Sequence, residues 1–370
     1  MTERERFNAV MQHQLNVAPP NYELGLWGQT FDRWLAEGAP ADEISFDWFR
    51  GGKLGLGKRD FVPVYTHAHP TFEAKILEEN EDYVIHQDGQ GVITRSLKAG
   101  EAHGTRASMD QHISHPVSDR ESFLELKARY DSGTPERYPQ NWEELVATWK
   151  ARDYPLCLQV NCGFGLFSHL RIWMGTEGLC IAFYEQRALI HEMLDFLADF
   201  FCASVRRAVT EIDCDYFNFF EDFAYKTGPF TSPALFRELF LPRYIRIIEF
   251  LKSHGIKHFW LDSDGNTEVL IPLFIEMGIT CHWPLEAAAG MDPAKLMREY
   301  SKDLAFVGGV DKRELSKGKK EIAAQMAKIA PLVEAGGFIP TLDHAIPPDI
   351  SYGNFLYYME LKRKLVSDSR

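Results

Sequence analysis

From about residue 140 onward, apolar runs of strand length alternate with amphipathic stretches of helix length, and this alternation constrains the fold more than any other feature. Leu156 to Val160, Tyr216 to Phe220, His258 to Leu261, Ile279 to Trp283, Ala305 to Val307 and Phe338 to Leu342 read as strands. Tyr184 to Val209, Pro233 to His254, Pro293 to Tyr300, Glu321 to Glu334 and Ser351 to Val366 read as helices. Pro233 stands at a first helical position behind Ser232, and Gly255 lies just past that helix, as helix start and stop chemistry requires. Strands separated by helices pair in parallel, so the chain is α/β. With Tyr22 to Trp27 as a first strand and an eighth near Phe46, the set fits a closed (β/α)8 barrel, the TIM barrel. An open doubly wound sheet is the alternative. No GxGxxG follows the first strand and no GxxxxGK[ST] occurs, so nucleotide binding by those routes is not expected.

Residues 1 to 16 read as a short helix ended by Pro19-Pro20. Between Phe72 and Arg95 the period changes to the two-residue alternation of strands, broken by Glu78-Glu79-Asn80-Glu81-Asp82 and by Gly89 and Gly91. This predicts a β-meander insertion at about 72–95 forming a wall of the site, with the whole of 1–370 otherwise one barrel domain.

Charge and cysteine usage narrow the partners. A formal charge of −13 opposes nucleic acid and anionic membranes, both of which reward a basic face. No apolar run reaches the ~20 residues that span a bilayer. The charged start, Met1 to Arg6, leads into no apolar signal core, so the protein is expected in the cytoplasm. Six cysteines without CxxC spacing argue against a disulfide framework and a zinc knuckle. Aromatic residues make up 13% of the chain, and some of them are expected to line a pocket. The sequence leaves a homodimer open.

The stretch from His258 to Asn266 carries the strongest chemical signal. An apolar strand runs into Asp262 and Asp264, two residues apart and on one face if the strand persists, and Gly265 then permits a tight turn. Strand C-terminal ends are where α/β proteins bind ligands. The other strand ends add Asn161, Glu221 with Asp222, His282, Asp311, and Asp343 with His344. Asp-x-Asp with a histidine suits a divalent metal, its oxygen ligands favouring Mg, Mn or Fe over a thiolate-rich zinc site. The same set suits hydrogen bonding to a polar substrate, or acid–base work, because crowded carboxylates push one pKa upward. A capping aspartate beside an ordinary turn aspartate is the plain structural reading. No GxSxG elbow occurs, and Cys162 has no base near it in sequence, so covalent catalysis has little support.

Two segments resemble a known family. Asn218-Phe219-Phe220-Glu221-Asp222-Phe223-Ala224, continuing through Thr231-Ser232-Pro233 to Leu241-Pro242, is similar to the "FES-AG-LSP-F-EF-LP" segment of the uroporphyrinogen decarboxylase superfamily, and Leu342-Asp343-His344-Ala345-Ile346-Pro347-Pro348 resembles its late "LGHG-P" motif. The resemblance covers most of the chain after residue 150 and implies a (β/α)8 barrel. That superfamily holds tetrapyrrole decarboxylases and zinc-dependent methyltransferases that move methyl groups between corrinoid proteins and other acceptors. The arginine-rich "RQAGRY" motif of the decarboxylases is replaced here by Tyr22-Glu23-Leu24-Gly25-Leu26-Trp27-Gly28, and their catalytic tyrosine falls at Arg171. The H-x-C-G-N zinc motif of the thiol-type methyltransferases becomes Asp262-Ser263-Asp264-Gly265-Asn266, with His344 where the late cysteine stands.

The resemblance therefore implies a methyltransferase that demethylates a small methylated substrate with a corrinoid protein as acceptor. A decarboxylase with an altered substrate and a non-catalytic ligand-binding barrel are the alternatives. The expected catalytic residues are His344, Asp222 and Asp264. Expected substrate contacts are Trp27, Asn161, Phe164, Arg171, Glu221, Tyr225, Trp283 and Asp343. Asp262, Asp264 and His344 are the expected ligands of a divalent metal, Zn, Mg or Mn.

Overall fold

In the computed structural model, residues 1–106, 108–158 and 163–367 are described. Seven parallel strands form one sheet in sequential order: β1 (Asp60–Phe61), β2 (Leu156–Cys157), β3 (Tyr216–Phe220), β4 (His258–Asp262), β5 (Cys281–Trp283), β6 (Ala305–Val310) and β7 (Phe338–Leu342). The sheet curls as in a TIM-like half-barrel. Strands from β4 to β7 are buried along their full length, which is why they read as continuous apolar runs. Successive side chains leave on opposite faces. Phe217, Phe219, Phe259 and Leu261 pack outward into the helical layer, whereas Cys157, Tyr216, Trp260, Trp283, Val307 and Ile339 point inward.

Helix α1 (Glu3–Met11) plugs the N-terminal end of the lumen. Thr2 and Glu5 form its capping box, and Phe7, Val10 and Met11 supply its apolar side. The Phe7 ring lies 4.9 Å from that of Tyr216 and 5.8 Å from that of Trp260. A closed floor leaves the C-terminal ends of the strands as the open end.

Several sequence expectations change. Tyr22 to Trp27 is extended but forms only an isolated parallel bridge, Leu26 to Ile346, and the region of Phe46 forms no strand. The first strand of the sheet is instead Asp60–Phe61, too short and too close to Pro63 to stand out by pattern. The expected helix from Pro233 to His254 breaks at Phe240 into Pro233–Leu239 and Leu241–Ser253, because Pro242 begins a new helix. In the N-terminal half, Lys75–Glu79, Tyr83–Gln87, Ile93–Leu97 and Gln111–Ser114 form a four-stranded antiparallel sheet. Among the described residues no helix is long and apolar enough to cross a membrane.

Candidate functional site

The loops that follow β3, β4, β5, β6 and β7 converge at the open end of the sheet. Asp262 is the last residue of β4, and its inward parity places its carboxyl above Trp260 and Trp283. It is 9% exposed and its side chain has no hydrogen-bond partner among the described residues. Burial holds its carboxyl well above the usual range, and the neighbouring Asp264 and Asp222 push it the same way. Beneath it, Trp283 Nε1 donates to Asn218 Oδ1 at 2.8 Å, while the buried Asn218 Nδ2 has no partner among the described residues.

After β4 the backbone turns at Gly265, whose φ is +79°. A Cβ there would stand 2.6 Å from the Ala224 carbonyl oxygen, so only glycine fits. Asp264, just before this turn, is more exposed and lies at the rim, where its carboxylate is 3.7 Å from His344 Nε2. Burial, then Glu286 and Asp222, raise Asp264 to about 7 against the pull of Lys312 and Arg171. Burial, then Lys312, hold His344 below its usual value, so its ring is neutral near pH 7. Trp27 meets that ring edge to face at 6.3 Å.

The cations of the mouth are already engaged. Arg171, on helix α2 (Leu166–Met174), pairs with Asp222. Lys312 Nζ lies 3.7 Å from Glu286 and 3.8 Å from Asp343. Glu286 accepts the Gly265 N–H at 2.9 Å, which ties the loop after β5 to the turn after β4. Sequence reasoning missed Glu286, Lys312 and Asn218. Glu286 and Lys312 sit two or three residues past their strands, and only the course of the loops brings them back.

Other expected site residues take structural roles. Glu221 has the opposite parity to Asp222 and faces the helices. It is 0% exposed and accepts the Ser168 N–H at 2.8 Å, the Phe167 N–H at 3.3 Å and the Tyr244 hydroxyl, so it caps α2 instead of meeting a substrate. Phe164 is fully buried against Phe201, ring centroids 4.2 Å apart, and forms core instead of pocket wall. Tyr225 is 61% exposed on a two-stranded hairpin, Ala224–Tyr225 with Gly228–Pro229. Trp283 floors the lumen beneath Asp262. Asp343 is spent on the Ala287 and Lys312 amides, each at 3.1 Å, and braces two loops. Outside the proposed residue sets, His282 is buried between Thr267 and the Leu261 carbonyl, and Asp311 caps the following helix and pairs with Arg313. Asn161 lies outside the described residues.

The expected metal ligands do not gather as a metal site. Among the described residues no group of three His, Cys, Asp or Glu side chains is placed to hold a metal ion. Asp264 and His344 pair at the rim, and Asp262, buried in the lumen, does not complete a three-ligand group with them. The donor set of Asp262, Asp264 and His344 therefore does not fit a divalent ion as arranged.

Comparison with known proteins agrees with this architecture. The family model described as uroporphyrinogen decarboxylase (URO-D) matches residues 108–365. A methyltransferase from Methanosarcina mazei is similar in structure, with a TM-score of 0.63 and 14% identity over 98% of this chain and 99% of that one. A B12-independent methionine synthase from Shewanella sp. W3-18-1 aligns with a TM-score of 0.30 and 10% identity, over 82% of this chain and 79% of that one. No curated protein matches in sequence. With more than two thirds of its length under that family model, the chain belongs to the uroporphyrinogen decarboxylase (URO-D) family.

Proposed function

We propose that this protein is a methyltransferase that demethylates a small methylated substrate, working in the cytoplasm from a (β/α)8 barrel whose eighth position is taken by the extended segment 22–27. The observation that carries the reading is the charge of the mouth. Asp222, Asp262, Asp264, Glu286 and Asp343 face Arg171 and Lys312, with Arg313 near Asp343, and each of these cations is already paired with a carboxylate. Two like charges 4 Å apart repel by about 4 kcal/mol at an effective dielectric constant of about 20. A porphyrinogen with many carboxylates would meet that penalty wherever it approached an ionised carboxylate and would find Arg171 and Lys312 already paired, so decarboxylation of such a substrate is disfavoured. The fold-level likeness to a methyltransferase is compatible with the proposal.

In the proposed reaction the bond between the methyl carbon and its heteroatom breaks, and the electron pair stays on the heteroatom. The acceptor implied by the family is a corrinoid carried by a partner protein, which supplies the nucleophile for the methyl group. Asp264, with its carboxyl near 7, holds the proton that passes to the departing heteroatom. Neutral His344 faces Asp264 at 3.7 Å and orients it, while Trp27 screens the pair from water. Asp222 is fixed by Arg171 as the wall on the β3 side. No step is assigned to a metal.

The test is incubation of the protein with a panel of methylated compounds and a reduced corrinoid protein, following methylation of the corrinoid by absorbance. No methylation with any compound, or release of carbon dioxide from a porphyrinogen, would overturn the proposal.

A further inference from the structure

We infer that the substrate of this site is an organic cation, a methylated ammonium compound, held by Asp262 in the lumen and by the acidic rim above it. The inference rests on the methyltransferase reading and narrows its substrate class.

One observation independent of the rim carboxylates points to a cationic ligand, and a second shows that the floor below it is polar. Asp262 is nine-tenths buried and faces the lumen, its carboxyl has no hydrogen-bond partner among the described residues, and the charged groups acting on it are two further carboxylates. Burying such a group without a partner is costly, and a cation seated above it would remove both the isolation and the repulsion. Asn218, 1% exposed on the same inward face of the neighbouring strand, has an Nδ2 donor without a partner among the described residues, which makes this floor polar without itself favouring a cation. Asp262 on β4 and Asn218 on β3 thus form a polar cradle on the inward face of adjacent strands.

The chemistry of that occupant follows from what surrounds it. The charged groups around the cradle are Asp222 and Arg171 on the β3 side, Asp264 and Glu286 above, and Lys312 and Asp343 beyond, with Asp311 and Arg313 paired next to Asp343, while His344 is neutral. Arg171 and Lys312 are each held by their own carboxylates, and a cation seated here would draw Asp262 toward its ionised form, so the site gains negative charge as it fills. A metal ion is a poor occupant, because among the described residues no three His, Cys, Asp or Glu ligands converge. An ammonium carrying methyl groups is a better one, since it spreads its charge over a surface that needs no fixed coordination geometry and can rest against an aromatic face such as Trp27. The cation also suits the transfer. When the carbon–nitrogen bond breaks, the nitrogen keeps the electron pair and leaves as a neutral amine. It then takes the proton that Asp264 holds and becomes an ammonium again, so the well stays filled by one positive charge.

Isothermal titration calorimetry on the full chain tests this with tetramethylammonium, choline and phenyltrimethylammonium, each against its uncharged carbon isostere (3,3-dimethylbutan-1-ol for choline). At least one cation should bind about tenfold or more tightly than its isostere, and Asp262→Asn should remove that preference. The parent comparison stands even if the variant fails to fold. Equal or weaker binding of all three cations, no binding by any, or tighter binding of citrate would overturn the inference. The two proposals fail separately. Demethylation of a neutral methyl ether without cation preference would leave the methyltransferase reading and sink the cationic substrate. Cation binding without methyl transfer to a corrinoid protein would do the reverse.

Discussion

Replacing Glu221 by glutamine separates a buried helix cap from a substrate ligand. In the folded protein the carboxyl is fully buried and held at about 8 instead of 4.5, burial outweighing the amides of α2 that favour its charged form. The folded state therefore binds this proton more tightly than the unfolded chain. Its contribution to stability is complete below pH 4.5 and is lost progressively as pH rises through about 8. A shift of that size corresponds to roughly 5 kcal/mol between the two limits, at about 1.4 kcal/mol per pH unit. Glutamine keeps the shape and one acceptor oxygen for the Ser168 amide but does not titrate. Glu221→Gln should match the parent within about 1 kcal/mol at pH 5 and exceed it by several kcal/mol at pH 9, a gain of roughly 5 °C in Tm for a chain of this size. Thermal melts of both proteins from pH 5 to pH 9 measure the difference. A constant difference in Tm would mean that Glu221 is ionised when folded and that the helix amides win. A variant with parental Tm but no turnover would return Glu221 to the substrate site.

Asp264→Asn should abolish turnover, and turnover of the parent should fall as pH rises through about 7, because the acid must be protonated; a pH–rate profile checks both. Lys312→Met removes a cation that lowers both Asp264 and His344, so the basic limb of that profile should move upward by roughly one pH unit; a variant with lower Tm and an unmoved limb would make Lys312 a brace only. Lys362 is 0% exposed and bonds Glu23 Oε1 at 2.6 Å and the Tyr22 carbonyl at 2.5 Å. Lys362→Met should cost about 3–5 kcal/mol in urea unfolding by stranding the buried Glu23 carboxylate, and adding Glu23→Gln should recover part of it.

The parallel sheet was legible because its strands are buried on both faces, so β4 to β7 appear as apolar runs between helix-length segments. Strand β1 was not, since two residues beside Pro63 carry no periodicity and owe their pairing to Leu156 and Cys157 nearly a hundred positions away. Site residues divided by the same logic. Asp262 and Asp264 were marked by their place at a strand end, yet Glu221 and Asp222, adjacent in sequence, leave the sheet on opposite faces and belong to different environments. Pattern alone does not say which of two neighbours points inward until the register is known. Glu286 and Lys312 are ordinary loop charges in the sequence; they become part of the mouth because Gly265 brings one loop within 2.9 Å of Glu286 and because Lys312 reaches two strands' worth of carboxylates.

Asp262 itself carries the last step. A lumen position beside Trp283 and above Trp260 would be filled by valine or leucine in a barrel that had only to be stable. Leaving a polar group buried and unpaired there costs about 1–3 kcal/mol, and the proximity of Asp222 and Asp264 adds to that cost. A residue kept at a loss to the fold is expected where a ligand needs it. Asp262→Leu should therefore raise the Tm of the ligand-free protein, while abolishing both the preference for ammonium compounds over their uncharged isosteres and turnover. If Asp262→Leu instead lowers Tm by several degrees, the carboxyl is satisfied in the resting protein, and the case for an absent cation above it fails with that result.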